Sequence, residues 1–467
     1  MKVQFRESFV KDLRAILPVK EVIMPNGDAV RDEVTRYLQD LIRIDTTNPP
    51  GNETRAAEYL AGVFKREGIE PTVLESVPGR GNIVARLTGD GRAAPLLLMV
   101  HSDVVPAEAD QWTHPPFSGD IVDGFLWGRG ALDTKELAAM ELVVMLMLKR
   151  EGKPLARDII FMANADEEAG GKMGAGWMVK EHPDLIRAEY AINEGGGFGL
   201  DILGQRVFTC QVAEKGTARF AMRTRGRPGH GSQPHRDNAV LKLADAIQKI
   251  GAAGFSHHAT ATVKLFIEGI AAKLDKRYEA DLLSLLDAKK YRAAIERLPL
   301  DEGLRTMFNA MLHNTVTPTM LHAGSKVNVI PSLAEAKCDA RLLPGQTSHD
   351  LLHEVRAVIG NEVEIEFLDN TSAALESDYR TPLFGTIARV MARHEPKSPV
   401  LPYMVVGATD ARHVKKLGTK VYGFAPMFAP TSELDRVHAH DERISIDNLA
   451  FGTRVLYEVV SEFCQNP

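Results

Sequence analysis

PLLLMVHSDVVP, residues 95–106, is a run of apolar residues that ends in a histidine and an aspartate. DIIFMANADEEAGG at 158–171 and YAINEGGG at 190–197 have the same arrangement, with acidic residues where the apolar run stops. Helical patterns at 134–152 and 173–182 separate the three runs. Strands that alternate with helices in this way are typical of a sheet buried on both faces. The sequence therefore predicts an α/β fold, with a mixed sheet flanked by helices.

The pattern of the sequence changes near residue 212. TARFAMRTRG at 217–226 alternates apolar and polar residues, which is typical of a half-solvated antiparallel strand. The stretch 258–312 is rich in alanine, leucine and charged residues and is predicted to be helical, and VYGFAP at 421–426 returns to the pattern of a buried strand. We predict a discontinuous main domain with an inserted α+β domain, divided as residues 1–212, 213–370 and 371–467.

Length and charge limit the classes of function. A chain of 467 residues is too long for one ordinary core. Its 56 basic and 62 acidic residues give a net charge of −6, so we expect no binding to nucleic acid or to a membrane surface. The cysteines, Cys210, Cys338 and Cys464, are odd in number and lack CxxC spacing, which argues against a disulfide framework or a zinc ribbon. With no signal-peptide pattern at the N-terminus, a cytoplasmic protein is expected.

The polar residues at the predicted strand ends have the composition of a metal site. His101 and Asp103 are two residues apart on a strand, so both side chains point to one face. Glu167 and Glu168 are adjacent and project in different directions, which suits one metal ligand and one free base. Ligands of open α/β sheets bind beyond the carboxyl ends of the strands. Imidazole and carboxylate groups without a thiolate favour zinc, with cobalt or manganese as alternatives.

Each of these features also has an ordinary structural explanation. Adjacent glutamates usually form a solvated surface, Asp133 could cap the next helix, and Glu194 could be a turn residue. Their joint occurrence at strand ends is what favours the metal site. Motifs of nucleotide-binding loops, HExxH zinc proteases and GxSxG hydrolases are absent from the sequence.

Seven motifs together carry a resemblance to a known family: HSDVVP, GRGALDTK, ADEEAGG, INEGG, GHGSQPH, KVNVIP and HAHDE. They resemble those of the dinuclear zinc amidohydrolases and peptidases, which include aminoacylase, carboxypeptidase G, acetylornithine deacetylase and succinyl-diaminopimelate desuccinylase. The segment WTHPPFSGDIVDGFLWGRGALDTK is most similar to the branch of glycine-X carboxypeptidase and the N-acyl-amino-acid hydrolases. The resemblance runs from about Leu41 to Ala450.

The resemblance implies two metal ions and a role for each matching residue. It implies that His101 and Glu194 bind one ion, that Glu168 and His438 bind the other, and that Asp133 bridges them. It also implies a cis peptide bond after the bridging aspartate. Two histidines compete in HAHDE, where the family often has HxxNE; alignment on its final glutamate selects His438 rather than His440.

Three further residues have catalytic roles by resemblance. Asp103 is implied to orient His101 by accepting the second ring proton. Glu167 is implied to be the general base that takes a proton from the metal-bridging water and delivers one to the leaving amine. His230 matches a histidine that stabilises the tetrahedral oxyanion and that, in dimeric members, reaches the active site of the partner protomer. A polar loop histidine is the alternative for His230.

Substrate contacts are implied in two segments. Asn328 and Arg341 match substrate-binding positions of the inserted domain, and Arg341 offers a planar fork for a carboxylate; a solvated strand residue is the alternative. Gly407 and Thr409, followed by Asp410, match a substrate loop of the main domain. The inserted domain would act as a lid and as the surface of a homodimer.

The expected activity is metal-dependent hydrolysis of an amide bond adjacent to a free carboxylate, in N-acyl amino acids or short peptides. One alternative is a dipeptidase that recognises a free amino terminus. Another is a non-catalytic metal-binding protein on the same scaffold.

Overall fold

The computed structural model describes residues 27–368, 371–428 and 430–466. The strands are β1 Pro71–Glu75, β2 Gly81–Leu87, β3 Leu96–His101, β4 Ile121–Val122, β5 Phe125–Trp127, β6 Ile159–Asn164, β7 Tyr190–Asn193, β8 Phe198–Ile202, β9 Gln205–Glu214, β10 Gly216–Thr217, β11 Phe220–Arg225, β12 Gly229–His230, β13 Thr315–Ala323, β14 Val329–Ile330, β15 Leu333–Leu342, β16 Glu364–Phe367, β17 Leu375–Glu376, β18 Val400–Val405, β19 Lys420–Gly423, β20 Met427–Phe428 and β21 Arg443–Ser445.

The α-helices are α1 Gly27–Ile42, α2 Glu53–Arg66, α3 Lys135–Glu151, α4 Ala175–Glu181, α5 Pro183–Ile186, α6 Ala239–Ala252, α7 Ala261–Ala271, α8 Lys276–Ser284, α9 Tyr291–Arg297, α10 Glu302–Leu312, α11 Ser348–Ile359, α12 Pro382–His394, α13 Ala411–Val414, α14 Thr431–Leu434 and α15 Ile446–Gln465. Among the described residues, we find no helix with the length and apolar character of a membrane span.

A large mixed sheet forms the centre of the molecule. Its strand order is β1-β2-β6-β3-β7-β19-β9-β8-β20, and β17 and β18 also pair with β9. The four central strands β6, β3, β7 and β19 run parallel to one another, whereas β2 and β9 pair with them in the antiparallel direction. This arrangement confirms the predicted mixed α/β sheet.

Both faces of this sheet are buried, because alternate residues of its central strands pack against different helices. Leu96, Leu98 and Val100 of β3 belong to a core with α1, α3 and α15. Leu97 and Met99 point the other way and pack with residues of α4 and α13. The continuous apolar run of β3 follows from this double burial.

A second, smaller sheet is antiparallel. Its strands follow the order β10-β15-β11-β16, and β13 pairs with the free side of β15. Along β15, buried residues alternate with more exposed ones, and helices α6 and α11 cover the buried face. The alternation seen in the sequence near residue 220 therefore reflects a sheet with one solvated face.

The chain passes between the two sheets at two adjacent points. The outgoing link lies between β9 and β10. Thr217, at the end of β10, exchanges main-chain hydrogen bonds of 3.0 and 2.9 Å with Ser372 of the returning link. The predicted boundary at 212/213 falls two residues before the end of β9. The predicted boundary at 370/371 adjoins residues 369–370, which lie outside the described residues, so the domain limits stay a prediction.

The helical stretch 258–312 packs on the large sheet. Val263, Phe266 and Ile270 of α7 share a core with Leu401 and Tyr403 of β18. The approach is close, since a Cβ on the helix residue Gly269 would lie 2.5 Å from a methyl carbon of Leu401. These helices lie inside the predicted insertion by sequence, but their buried faces belong to the core of the main sheet.

Candidate metal centre and active site

The carboxyl ends of three neighbouring parallel strands bring the predicted ligands together. His101 is the last residue of β3, and Glu194 directly follows β7. After β6 comes a short turn, residues 165–169, which we call the acid turn because it carries Glu167 and Glu168. β3 pairs with both β6 and β7, so the three segments lie side by side at one edge. This is the convergence that the sequence predicted.

Two groups of ligand atoms meet at this edge and share one aspartate. His101, Asp133 and Glu194 form the first group, and Asp133, Glu168 and His438 form the second. Asp133 Oδ1 lies 2.9 Å from His101 Nε2, and its Oδ2 lies 2.9 Å from His438 Nε2. The two oxygens of Asp133 thus face the two groups, which is the geometry of a bridging carboxylate. The peptide bond Asp133–Thr134 is cis.

The ring of His101 is fixed by the main chain rather than by the carboxylate of Asp103. Its Nδ1 lies 2.9 Å from the main-chain oxygen of Asp103 but 3.6 Å from Oδ1 of the same residue. A carbonyl oxygen can only accept, so Nδ1 carries a proton, and Nε2 is the ring nitrogen that faces Asp133. The implied orienting residue is therefore in place, but it acts on the ring through its backbone.

The carboxylate of Asp103 has a different partner, the acid turn. Its Oδ1 accepts a hydrogen bond of 3.0 Å from the main-chain N–H of Glu167, and its Oδ2 accepts one of 3.2 Å from that of Glu168. Asn48 Nδ2 also donates to Oδ2, at 2.8 Å. Asp103 is fully buried, so these bonds are shielded from water. Asp103 thereby fixes the backbone from which the two adjacent glutamates diverge.

A buried ion pair that was not among the predicted site residues supports the loop that carries Asp133. Glu442 Oε1 accepts hydrogen bonds of 2.7 and 3.2 Å from the main-chain N–H groups of Leu132 and Asp133. Arg129 Nη1 donates to Oε2 of the same carboxylate at 2.7 Å. Both charged side chains are at most 2% exposed. In the sequence, Glu442 served only to align the HAHDE motif and so to select His438.

The structure separates the two histidines of the HAHDE motif. His438 adopts a left-handed backbone conformation, with φ of 62°, and its Nε2 lies 3.0 Å from Glu168 Oε1. His440 points away from the cluster, and its Nε2 lies 3.2 Å from Glu108 Oε2. Only His438 is therefore placed to share a metal ion with Glu168.

The site concentrates negative charge among partly buried side chains. Burial raises the pKa of Glu194 to about 8, and the nearby carboxylates of Asp133 and Glu168 act in the same direction. Burial, together with Glu194 and Asp410, also raises the pKa of Glu167 well above its usual range. Hydrogen bonds to Asp133 and Glu168 raise the pKa of His438 to about 10. Such shifts indicate that the cluster lacks positive charge.

The residues present fit two divalent cations. Within each group the ligand atoms all lie within 4.8 Å of one another, so one ion can contact all three residues of a group. A shared carboxylate between two imidazole–carboxylate sets is suited to a dinuclear site, and the absence of thiolates in it suits zinc, cobalt or manganese. A bound cation would also relieve the repulsion among the buried carboxylates.

Glu167 belongs to neither group. Its side chain is 11% exposed, and Arg412 Nη2 lies 3.6 Å from Glu167 Oε1. Arg412 was not predicted as a site residue, although it ends the GATDAR motif. The acid turn thus directs one glutamate to a ligand group and leaves its neighbour beside the cluster.

The predicted residues of the inserted domain lie elsewhere in the single chain. His230 is exposed on β12, where its Nδ1 lies 2.7 Å from Ser232 Oγ. Asn328 is beside it, since its main-chain oxygen accepts a hydrogen bond of 2.9 Å from Gly231. Among the contacts of the described residues, none joins His230 or Asn328 to the two ligand groups. The structure therefore brings these two residues to each other but not to the cluster.

Arg341 has an internal partner in the small sheet. Its Nε and Nη2 donate to the two carboxylate oxygens of Asp339 at 2.6 and 3.1 Å. This two-point ion pair occupies the planar fork that the sequence analysis assigned to a substrate carboxylate. The substrate role of Arg341 stays a prediction. In that role, the guanidinium would bind the substrate carboxylate together with Asp339 or in place of it.

The GATDAR loop is placed at the site, but its side chains are partly used for structure. Thr409 donates from its main-chain N–H and its Oγ1 to Glu214 Oε2 at 3.0 and 2.8 Å. Asp410 accepts a hydrogen bond of 2.5 Å from Asn164 at the end of β6. Gly407 has open space around the position of a Cβ. The substrate role of Gly407 stays a prediction.

Comparisons with known proteins agree with this geometry. Residues 97–462 match the model of Peptidase family M20/M25/M40. The chain is 32% identical over 374 residues to probable carboxypeptidase S-like 2 of Dictyostelium discoideum, which covers 77% of this chain and 70% of the relative. It is 27% identical over 440 residues to the N-fatty-acyl-amino acid synthase/hydrolase PM20D1 of Xenopus tropicalis, with 91% and 85% covered.

A solved structure has a similar fold. The M20 family metallo-carboxypeptidase Sso-CP2 from Sulfolobus solfataricus superimposes with a TM-score of 0.70 at 20% identity, covering 92% of this chain and 99% of that one. The family model spans most of the chain and includes both ligand groups. The protein is therefore a hydrolase that belongs to the M20/M25/M40 metallopeptidase family.

Proposed function

We propose that the protein hydrolyses an amide bond adjacent to a free carboxylate, in N-acyl amino acids or short peptides. Its cofactors would be two divalent metal ions, with zinc favoured and cobalt or manganese as alternatives. The observation that carries the proposal is the sharing of Asp133 between two histidine–carboxylate groups, with Glu167 left outside both. One acid that is not needed as a ligand is what acid–base catalysis beside a metal pair requires.

The roles of the residues follow from their positions. His101 and Glu194 would hold one ion, Glu168 and His438 the other, and Asp133 would contact both. Bound ions supply a Lewis acid for the scissile carbonyl and lower the pKa of a bound water. Glu167 would accept the proton of that water and return it to the leaving amine. Asp103 fixes the backbone of Glu167, so the base is held at a constant orientation to the ligands.

The class of substrate is supported by the relatives. A carboxypeptidase S-like protein and an N-fatty-acyl-amino acid synthase/hydrolase are both similar to this chain over most of its length. By their names, both classes of substrate carry an amide bond next to a free carboxylate. Arg341, Asn328 and Gly407 are the proposed contacts for that substrate.

His230 is proposed to stabilise the oxyanion from the inserted domain. Since it does not contact the cluster within one chain, it would act after closure of the inserted domain or from the partner chain of a homodimer. Mass photometry of the purified protein tests the second arrangement: a monomer that is fully active would exclude it. A cytoplasmic location, without nucleic acid or membrane as partner, is part of the same proposal.

The test of the activity combines metal content with a substrate panel. The purified protein is loaded separately with zinc, cobalt and manganese and assayed on N-acetyl amino acids, their carboxamides and unblocked dipeptides. We expect about two ions per chain, cleavage of the free acids, and loss of cleavage on Glu167→Ala. Glu70→Ala, at an exposed glutamate directly before strand β1, is the matched control.

Four outcomes would contradict the proposal. A protein that binds no metal lacks the dinuclear site, and a protein that binds two ions without cleaving any substrate is a binding protein. Preferential cleavage of unblocked dipeptides would identify a dipeptidase. A Glu167→Ala variant as active as wild type would remove Glu167 from the role of base.

A further inference from the structure

A largely buried arginine, Arg80, binds the acid turn through Asp166. Arg80 Nε and Nη2 donate to the two carboxylate oxygens of Glu53 at 2.8 and 2.7 Å. The same Nη2 donates to Asp166 Oδ1 at 2.9 Å. Glu53 is completely buried, and Arg80 is 12% exposed. One guanidinium therefore joins the start of helix α2 to the acid turn.

Asp166 is the residue that sets the direction of the acid turn. It has a left-handed backbone conformation, with φ of 73°, which residues other than glycine rarely adopt. Its side chain is held at both oxygens: Oδ1 accepts from Arg80, and Oδ2 accepts from the main-chain N–H of Met173 at 2.9 Å. The next two residues are Glu167 and Glu168. Hydrogen bonds to both side-chain oxygens of Asp166 thus stabilise its unusual backbone angle, directly before Glu167 and Glu168.

The backbone around Arg80 leaves space for its guanidinium. Gly51 has φ of 83°, and a Cβ on it would lie 2.4 Å from Arg80 Nε and 2.8 Å from Glu53 Oε2. Any larger residue at position 51 would displace the guanidinium from the carboxylate. The pair of Arg80 with Glu53 is therefore enclosed by the fold and is not a surface contact.

The acid turn is consequently held from two sides. Asp103 binds the N–H groups of Glu167 and Glu168 from the side of His101, and Arg80 holds Asp166 from the side of helix α2. If the contact with Arg80 is lost, Asp166 keeps a bond from Met173 and a 3.4 Å bond from Asn48 but loses this charged donor. We therefore expect the turn to shift and to move Glu168 relative to His438. The distance between Glu168 Oε1 and His438 Nε2 is 3.0 Å. A shift of about 1 Å is therefore enough to weaken the binding of a metal ion that both residues contact.

We propose that Arg80 is a positioning residue that, through Asp166, sets the affinity of the metal position formed by Glu168 and His438. The proposal rests on the proposed function, because it requires that the two groups bind metal. Lysine cannot replace Arg80, since a single ammonium group cannot bind both oxygens of Glu53 and Asp166 in the same fork. Arg80→Lys should weaken one of the two metal positions by about tenfold or more and leave the other unchanged.

The experiment measures zinc binding at buffered free zinc concentrations, starting from metal-free full-length protein. Wild type is expected to show two occupied positions, and Arg80→Lys should lose one of them at a free zinc concentration that saturates both in wild type. Arg86→Lys is the matched control, because Arg86 lies on the adjoining strand β2 and pairs with Asp158 far from the cluster. Thermal unfolding and near-UV circular dichroism of the metal-free proteins check that the fold is retained.

The affected position is identified by combining variants. In a His438→Ala background, Arg80→Lys should have no further effect on zinc binding; in a Glu194→Ala background, it should still weaken the remaining position. If Arg80→Lys does not fold, Asp166→Asn replaces it, since asparagine keeps the oxygen and the size of the side chain while weakening its bond to the guanidinium.

Two results overturn the inference while leaving the proposed function intact. One is a folded Arg80→Lys protein that binds both zinc ions with wild-type affinity. The other is an equal loss at both positions, or the same loss in the His438→Ala background, which would indicate general destabilisation. Wild-type protein that binds no zinc contradicts the proposed function itself.

Discussion

Replacement of Glu442 by alanine should destabilise the protein strongly and disturb the bridging position. The carboxylate accepts three hydrogen bonds, from Arg129 at 2.7 Å and from the N–H groups of Leu132 and Asp133 at 2.7 and 3.2 Å. A hydrogen bond to a charged group contributes about 1.5–3 kcal/mol. The sum over the three bonds is an upper bound on the free energy lost in the alanine variant. Loss of one partner from a buried ion pair costs about 3–5 kcal/mol, which is the magnitude that we expect.

Matched variants separate the parts of this effect. Glu442→Gln keeps an oxygen for the two N–H groups but loses the charge that faces Arg129, so it should cost less than alanine. Adding Arg129→Met to Glu442→Ala should recover about 1–3 kcal/mol, because an unpaired buried charge is then removed. Asp201→Ala breaks the exposed pair with Arg206 and should cost less than about 1 kcal/mol.

The assay is urea unfolding in excess chelator, which removes the contribution of bound metal to stability. The shift of the midpoint, multiplied by the slope m, gives the change in free energy of unfolding. Metal content is then measured without chelator, where Glu442→Ala should retain less metal than wild type. Equal urea midpoints for Glu442→Ala and wild type would refute the argument that the buried pair holds the Asp133 loop.

Three further predictions concern other residues. His438→Ala should lose one of two bound metal ions, while His440→Ala should keep both; equal metal contents would show that the wrong histidine was assigned. Both carboxylate oxygens of Glu141 are buried without a hydrogen-bond partner among the described residues, so Glu141→Met should raise the free energy of unfolding by about 1–3 kcal/mol. Burial raises the pKa of Glu141, so as the pH rises the unfolded chain loses this proton before the folded protein does, and the wild type becomes less stable. The stability gained by Glu141→Met should therefore be larger at pH about 8 than at pH about 5. Urea midpoints measured at both pH values test this. Burial acts to raise the pKa of Glu458, but contacts with His394 and a neighbouring arginine lower it overall from 4.5. The destabilisation caused by Glu458→Gln should therefore be complete above pH about 4.5 and fade as the pH falls through the lowered pKa; a difference in urea midpoint that does not change with pH would contradict it.

Much of the metal centre could be predicted from local sequence. Apolar runs identified strands β3, β6 and β7. Polar side chains are costly within a buried strand, so they first occur where the strand ends. Parallel strands put their carboxyl ends at one edge, so residues His101, Glu168 and Glu194 had to converge once the sheet was recognised. The motif resemblance added Asp133 and selected His438, and the structure places both in the predicted groups.

The supports of the site were not predictable in the same way. Asp103 was expected to orient a ring, but its carboxylate holds the acid turn. Arg341 was expected to be free for substrate, but it pairs with Asp339 on the same strand. A spacing of two residues says which face a side chain occupies; it does not say which of several polar neighbours it bonds.

The sequence by itself determined the mixed α/β sheet and the chemical types of the ligands, because these depend on patterns of only a few consecutive residues. The tertiary structure decided how those ligands are held. Arg129 with Glu442, and Arg80 with Asp166, join segments that are 313 and 86 residues apart. Such pairs form only when the sheet and its helices have brought the segments together, and no local pattern marks them. The tertiary structure also decided that the helices of 258–312 pack on the large sheet, since an apolar helix face specifies burial but not its partner.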